Sequence, residues 1–115
     1  MRIINLTPHV LRLYADDMET VVVEIPPTVP AVRVISVPGA LEDWGLPVPV
    51  AGVTQWGDIE GLPWPEEGVV FVVSLLVAQQ ARRRDVLSPG SGPNDRCVRD
   101  SEGRIAGVTR LIAHV

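Results

Sequence analysis

The stretch that decides the fold is "EEGVVFVVSLLVAQQARRR", residues 66–84. Glu66-Glu67-Gly68 reads as the end of a turn. Val69-Val70-Phe71-Val72-Val73 follows with no polar interruption. A strand with one wet face alternates apolar and polar residues, so an unbroken run implies burial on both faces. Ser74 stands where the run stops and is a residue type suited to a helix N-cap. From Leu75 to Arg84 the residues are mostly good helix formers, although they make no single clean apolar stripe. The arginines that close the segment suit the negative pole of a helix. A strand–Ser–helix unit is therefore expected at the centre of the fold, with its helix over about residues 75–84.

On the N-terminal side the signals are short strands and turns. Arg2 to Leu6 reads as a strand, broken by Thr7-Pro8-His9, because Pro8 cannot donate to a ladder. Val10 to Tyr14 alternates with period two. Ala15 to Glu19 is a polar turn and Thr20 to Ile25 another strand, so a meander or hairpin is expected here. Pro26, Pro27 and Pro30 stiffen a connection, and Ala31 to Val37 reads as a strand. Pro38 to Pro49 reads as a loop, Val48 to Thr54 as a short strand interrupted by Pro49, and Gln55 to Glu67 as loop.

On the C-terminal side, Asp85 to Ser88 reads as a short strand and Pro89 to Asp95 as a Gly/Pro loop. Arg96 to Arg99 and Arg104 to Ala113 read as a hairpin around Asp100–Gly103. The expected fold class is α+β: a mostly antiparallel β single domain, residues 1–115, with one central helix.

Composition agrees with this reading. The chain has 115 residues, 46% of them hydrophobic, with 11 Pro and 10 Gly. That is enough for one core and many tight turns. No lysine is present, so all ten basic residues are arginines, the residue suited to bidentate phosphate or carboxylate contacts. The net charge of −4 is unevenly spread. Residues 1–81 hold 3 Arg and 10 acids, or −7, whereas residues 82–115 hold 7 Arg and 4 acids, or +3. The acidic total argues against general nucleic-acid binding, but the basic third permits a local anion site. Cys97 is the single cysteine and excludes an internal disulfide. The N-terminus lacks the plan of a secretory leader and no apolar run is long enough to span a bilayer. A cytoplasmic, non-membrane protein without a cofactor is expected.

Several chemistries can be weighed by motif. A nucleotide-hydrolysing P-loop needs a lysine in G-x-x-x-x-G-K-[ST], and the chain has none. Ser74 lacks the glycines of a nucleophile elbow. His9 and His114 are the only histidines. A hydrolase would have to use His9 with Asp58 or Asp85. The adjacent acids Asp16-Asp17 and Glu66-Glu67 do not have metal-ligand spacing, so no metal site is expected. The tryptophans at 44, 56 and 64 sit in Gly/Pro-rich surroundings, and Trp56, beside Gly57, is the best placed to stack on a ring. Three consecutive arginines on a helix fan out at about 100° per step and cannot converge. A pocket is expected to combine one of Arg82–Arg84, Arg83 and Arg84 foremost, with Arg96 or Arg99, under a loop holding Ser88, Gly90, Ser91 and Asn94. Ser74 and His9 would complete the ligand-binding set with Trp56.

Three stretches add a resemblance: "INLTPH" at residues 4–9, "GLPWPEEGVVFVVSLLVAQQ" at 61–80, and "RRDVLSPGSGPNDRCVRDSEGRIAGVTRL" at 83–111. Together they resemble a family of small proteins found in tailed-phage and prophage genomes. The resemblance implies a phage or mobile-element context, and hence the host cytoplasm, but no reaction. Small non-enzymatic phage proteins of this size often bind a host protein or sequester a host signalling nucleotide, an analogy of genome context. The leading expectation is a non-catalytic protein that captures a small anionic ligand such as a nucleotide, as a homo-oligomer with pockets between subunits. A protein-interaction or virion-accessory role comes second, and a small hydrolase using His9 third.

Overall fold

The computed structural model describes residues 1–28 and 32–115. Pro30 and Ala31, read above as part of the proline connection and the start of a strand, lie outside the described residues.

The central apolar run is a strand with a neighbour on each side. β8 (Val69–Val72) pairs in parallel with β1 (Arg2–Asn5), matching Ile4 to Phe71. On its other edge β8 pairs in parallel with β9 (Val86–Pro89), matching Phe71 to Val86. β12 (Leu111–Ala113) closes the sheet antiparallel to β9, so the order is β1-β8-β9-β12. Both faces of this sheet are covered, which is why β8 does not alternate. Val69, Phe71, Val73 and Val86 pack with Leu6, Val32, Val77 and Ala78 on one face. Val72 points the other way and packs with Leu11 and Val108.

Helix α1 (Leu75–Ala81) follows β8 and buries Val77 and Ala78 against the first face. Ser74 occupies the N-cap position with extended backbone, but its side chain makes no capping bond. The helix ends three residues before the sequence suggests. Arg82 takes a left-handed conformation (φ 49°) and its N–H bonds the Ala78 carbonyl. Beyond it Arg83 forks onto Asp85 at 3.0 and 2.6 Å and donates to the Pro63 carbonyl at 3.0 Å. These contacts, and the Phe71 N–H to Asp85 carbonyl bond at 2.8 Å, swing the chain into β9. Arg82–Arg84 therefore lie past the helix, and tertiary pairing overrides their helix propensity.

The second face is covered by a hairpin, β2 (Leu11–Tyr14) with β3 (Val21–Ile25). Of the meander or hairpin expected here, the hairpin forms, and β1 leaves it to pair with β8. Its turn is organised by Asp17. One carboxylate oxygen accepts the N–H groups of Glu19 and Thr20, each at 2.9 Å, and the other accepts the Thr20 hydroxyl at 2.6 Å. These bonds, the Thr20 hydroxyl first, hold the Asp17 carboxyl at about 2, below its ordinary 3.8. A carboxyl depressed on folding adds stability that is full above its unfolded value and lost as pH falls through its folded one. Asp17→Asn is accordingly expected to be less stable than the parent protein at pH 7, with a lower urea midpoint. The gap should close between about pH 4 and pH 2. A gap independent of pH would show that the carboxylate charge is not what these bonds require.

Residues 33–60 depart most from the sequence reading. β4 (Arg33–Val37) pairs antiparallel with β7 (Gln55–Glu60), so the stretch read as loop after Thr54 contains a strand, and Trp56 lies on it. Farther out, β5 (Leu41–Glu42) pairs with β6 (Val50–Ala51), within the two segments read as a loop and a proline-interrupted strand. The register runs on from Val37–Gln55 to Leu41–Ala51 and Glu42–Val50, so these four strands form one long hairpin. At its mid-point Gly39 and Gly52 face each other so closely that a Cβ on Gly39 would sit 2.3 Å from the Gly52 carbonyl carbon. Only glycine permits that approach. The base of the hairpin packs on α1 through Val34 and Ile59. The remainder projects. The radius of gyration is 16.9 Å and the longest dimension 53 Å, against about 13 Å for a compact chain of this length.

The C-terminal hairpin forms between β10 (Val98–Arg99) and β11 (Ile105–Gly107). The long last strand expected over Arg104–Ala113 divides at Val108, and its second half becomes β12. No helix among the described residues is long and apolar enough to cross a membrane.

Candidate functional site

Four segments distant in sequence enclose one cleft of about 400 Å³. The turn Thr7–His9 and the start of β2 line one wall, and Ser74-Leu75, Pro89, Ser91 and Ile105–Val108 line the rest. Most of the lining is apolar: Pro8, Val10, Leu11, Leu75, Pro89, Ile105 and Val108. His9, Arg12, Ser74 and Ser91 are the polar exceptions, with Thr7 behind them. An apolar cleft of a few hundred Å³ with a few convergent polar groups is the usual form of a small-molecule site.

The first wall is built by the segment Asn5-Leu6-Thr7-Pro8-His9. Asn5 is fully buried at the end of β1. Its Oδ1 accepts the Thr7 N–H at 3.0 Å and lies 2.7 Å from the Thr7 hydroxyl. Its Nδ2 donates to the carbonyls of His9 at 2.7 Å and Ile25 at 2.9 Å. The amide orientation follows from these partners, since a backbone N–H needs the oxygen and two carbonyls need the nitrogen. The Thr7 hydroxyl also lies 3.0 Å from the His9 carbonyl, and its single proton serves one acceptor at a time. One side chain thus fixes the turn, ties it to β3, and leaves the His9 ring exposed at the cleft. The break at Thr7-Pro8-His9 was legible from Pro8, but the role of Asn5 and its cross-link to Ile25 were not.

Arg12 is the arginine of the cleft, and the sequence reading had it only as one member of the alternating strand Val10–Tyr14. Its Nε donates to Glu24 at 2.7 Å across the β2–β3 hairpin and Nη1 approaches the Ala106 carbonyl at 3.4 Å. The Glu24 bond raises the guanidinium further above its already high pKa. Opposite, β11 reaches β2 through Val108, whose N–H bonds the Arg12 carbonyl at 3.0 Å. The approach requires Gly107: a Cβ there would meet the Tyr14 ring at 2.4 Å.

The candidates named from sequence divide between locations. His9, Ser74 and Ser91 line the cleft together. Gly90 and Ser88 do not line it and are buried: the Gly90 N–H bonds the Arg110 carbonyl at 2.9 Å, and Ser88 is 1% exposed. Asn94 is exposed in the turn beyond Ser91. Arg83 is committed to Asp85, whose carboxyl it holds below the ordinary range. Arg84 lines a separate depression with Ala113 and Val115. Arg96 is not on a strand. It has φ 54° in the turn before β10 and reaches Asp16 through its guanidinium. Trp56 belongs to the projecting hairpin, opposite Ser36. The cleft is therefore less basic than the run of arginines suggested.

One pairing was not anticipated. Ser88 Oγ lies 2.8 Å from His114 Nε2, joining β9 to the end of the chain after β12. A serine–histidine contact suggests nucleophilic chemistry, but this hydroxyl is buried, and among the described residues no carboxylate bonds the second ring nitrogen. Nor do Asp58 and Asp85 line the cleft with His9. The contact is a buried hydrogen bond that satisfies a polar side chain on the helix-covered face of the sheet.

No protein-family model, curated protein or solved structure matches this chain.

Proposed function

We propose that the protein captures a small anionic ligand carrying an apolar or aromatic ring, of the class of a nucleotide, and does so without turning it over. The observation that supports this reading is the convergence of His9, Arg12, Ser74 and Ser91 on one apolar-walled cleft. Pro8, Val10, Leu75 and Ile105 offer a surface for a ring. The Arg12 guanidinium, held in place by Glu24, offers hydrogen bonds to a phosphate or carboxylate. His9 and the two serines add polar contacts at the rim. The phage or mobile-element context implied by the sequence resemblance fits sequestration of a host signalling nucleotide in the host cytoplasm.

The test is a thermal-shift and calorimetry screen against cyclic and linear nucleotides. At least one should stabilise the protein. Arg12→Gln should weaken that binding by tenfold or more, as expected for loss of a charged hydrogen bond, and Ser91→Trp should block the cleft. Arg84→Gln, away from the cleft, should bind as the parent protein does. No stabilisation by any nucleotide, or equal binding by Arg12→Gln, rules the reading out.

A second reading, a protein-interaction role, is favoured by the projecting hairpin. Its apolar side chains face solvent along most of its length.

A further inference from the structure

Beyond Val34 and Ile59 the hairpin of residues 33–60 has no covering layer. Ile35 and Val37 lie two apart on β4 and share the face opposite the core. They are 43% and 60% exposed. Farther out, Leu41, Trp44, Leu46, Val48 and Val53 are all more than half exposed. Monomeric proteins rarely show contiguous apolar patches above a few hundred Å². Trp56, 41% exposed, adds a further solvent-facing apolar side chain to the arm, and a standard interface takes about 800 Å² from each partner. A two-stranded ribbon is also marginal by itself and gains stability from a packing partner.

Charge indicates which partner. Residues 34–59 carry Glu42, Asp43 and Asp58 and no cation, a charge of −3. Two such arms repel each other. The C-terminal third of the same chain carries +3. Within it Arg82, Arg84 and Arg110 have no salt-bridge partner among the described residues, whereas Arg83, Arg96 and Arg104 do. An apolar side chain is exposed on that part of the molecule too, at Val115, which adjoins both Arg82 and Arg84.

We infer that the arm docks on the basic C-terminal third of a second copy of this chain, and that two copies exchange arms about a two-fold axis. Each acidic, apolar arm meets the complementary surface of the other protomer, and the same contact occurs twice, as in a closed isologous dimer. Exposed ion pairs guide the docking, so the association weakens with salt. The inference does not depend on the ligand reading.

Sedimentation equilibrium and native mass spectrometry of the full chain test it. The parent protein should be a dimer at micromolar concentration, with a dissociation constant that rises at least tenfold between 50 and 500 mM salt. The arm variant Glu42→Arg/Asp43→Arg and the body variant Arg82→Glu/Arg84→Glu/Arg110→Glu should each be monomeric. All these positions are exposed, and circular dichroism should show parental secondary structure in both variants. Mixing the two variants should restore a heterodimer, because each reversed surface then meets its complement. A monomeric parent protein, including one that binds only a foreign protein through the arm, overturns the inference. So does a dimer unaffected by either set of reversals, or a mixture that stays monomeric.

Discussion

Replacing Asn5 by alanine is expected to remove about 3 kcal/mol of folding stability, a loss out of proportion to one polar side chain near the N-terminus. Asn5 is fully buried and uses both ends of its amide. Without it the buried N–H of Thr7 and the carbonyl of Ile25 lose their partners, and the His9 carbonyl keeps only the Thr7 hydroxyl. Each buried group left unpaired costs about 1–3 kcal/mol. Set against a typical total of 5–15 kcal/mol, the loss would bring the protein near its unfolding threshold. Urea denaturation at neutral pH measures it, and a change below about 1 kcal/mol would mean that water replaces the amide. Asn5→Asp sharpens the test. The oxygen in place of Nδ2 would face two carbonyl oxygens, so that variant should be least stable at neutral pH and recover part of its loss on acidification. There the protonated carboxyl can donate one of the missing bonds. Because Asn5 also positions His9 and the start of β2, either change should abolish ligand binding in the cleft.

Phe71→Ala should be comparably damaging for a different reason. Phe71 is 1% exposed, the largest side chain of the main core, and packs where β8, α1 and the base of the projecting hairpin meet. Truncating a buried phenylalanine costs about 3–5 kcal/mol, part lost transfer energy and part the cavity left behind. Urea unfolding monitored by far-ultraviolet circular dichroism should show a lower midpoint with an unchanged slope, the sign of lost stability without a change in the unfolded chain. An unchanged midpoint would mean that the sheet is not clamped between two layers at this residue. Val53→Ala, on the solvent-facing arm, is the matched control and should leave the midpoint of the isolated protomer unchanged.

The central strand was legible because its burial on both faces is written into five successive apolar residues. Strand β2 was legible because it alternates. The helix was legible in kind but not in length. Its C-terminal arginines are good helix formers, yet the bidentate contact from Arg83 to Asp85 and the entry of Val86 beside Phe71 outweigh a propensity of a few tenths of a kcal/mol per residue. Gln55–Glu60 was not legible as a strand, since Gly57 and the surrounding prolines read as loop. It becomes one because β4 supplies a partner and α1 a surface for Ile59.

The candidate site divides in the same way. His9, Ser74 and Ser91 could be singled out from local chemistry, as residues next to a turn, a helix start and a Gly/Pro loop. Arg12 could not, because a lone arginine in an alternating strand looks like any solvated side chain. Its role depends on β11 crossing to β2 at Gly107, some ninety residues away. The arginine run at 82–84 shows the converse error. Adjacency suggested a cradle, but Arg82 caps a helix, Arg83 clamps a turn and Arg84 faces another surface.

By itself, then, the sequence determined the class of fold, the buried central strand, the break at Thr7–His9 and the separation of an acidic N-terminal part from a basic C-terminal third. Each of these is a local pattern, or a sum over residues, that needs no knowledge of neighbours. Only the tertiary structure decided that β1 pairs with β8 in parallel, which side chains share the cleft, and that residues 33–60 stand out as an arm. Those depend on which distant segments meet, and pairing across long loops is set by the best joint burial of all the elements and not by any segment's own preference.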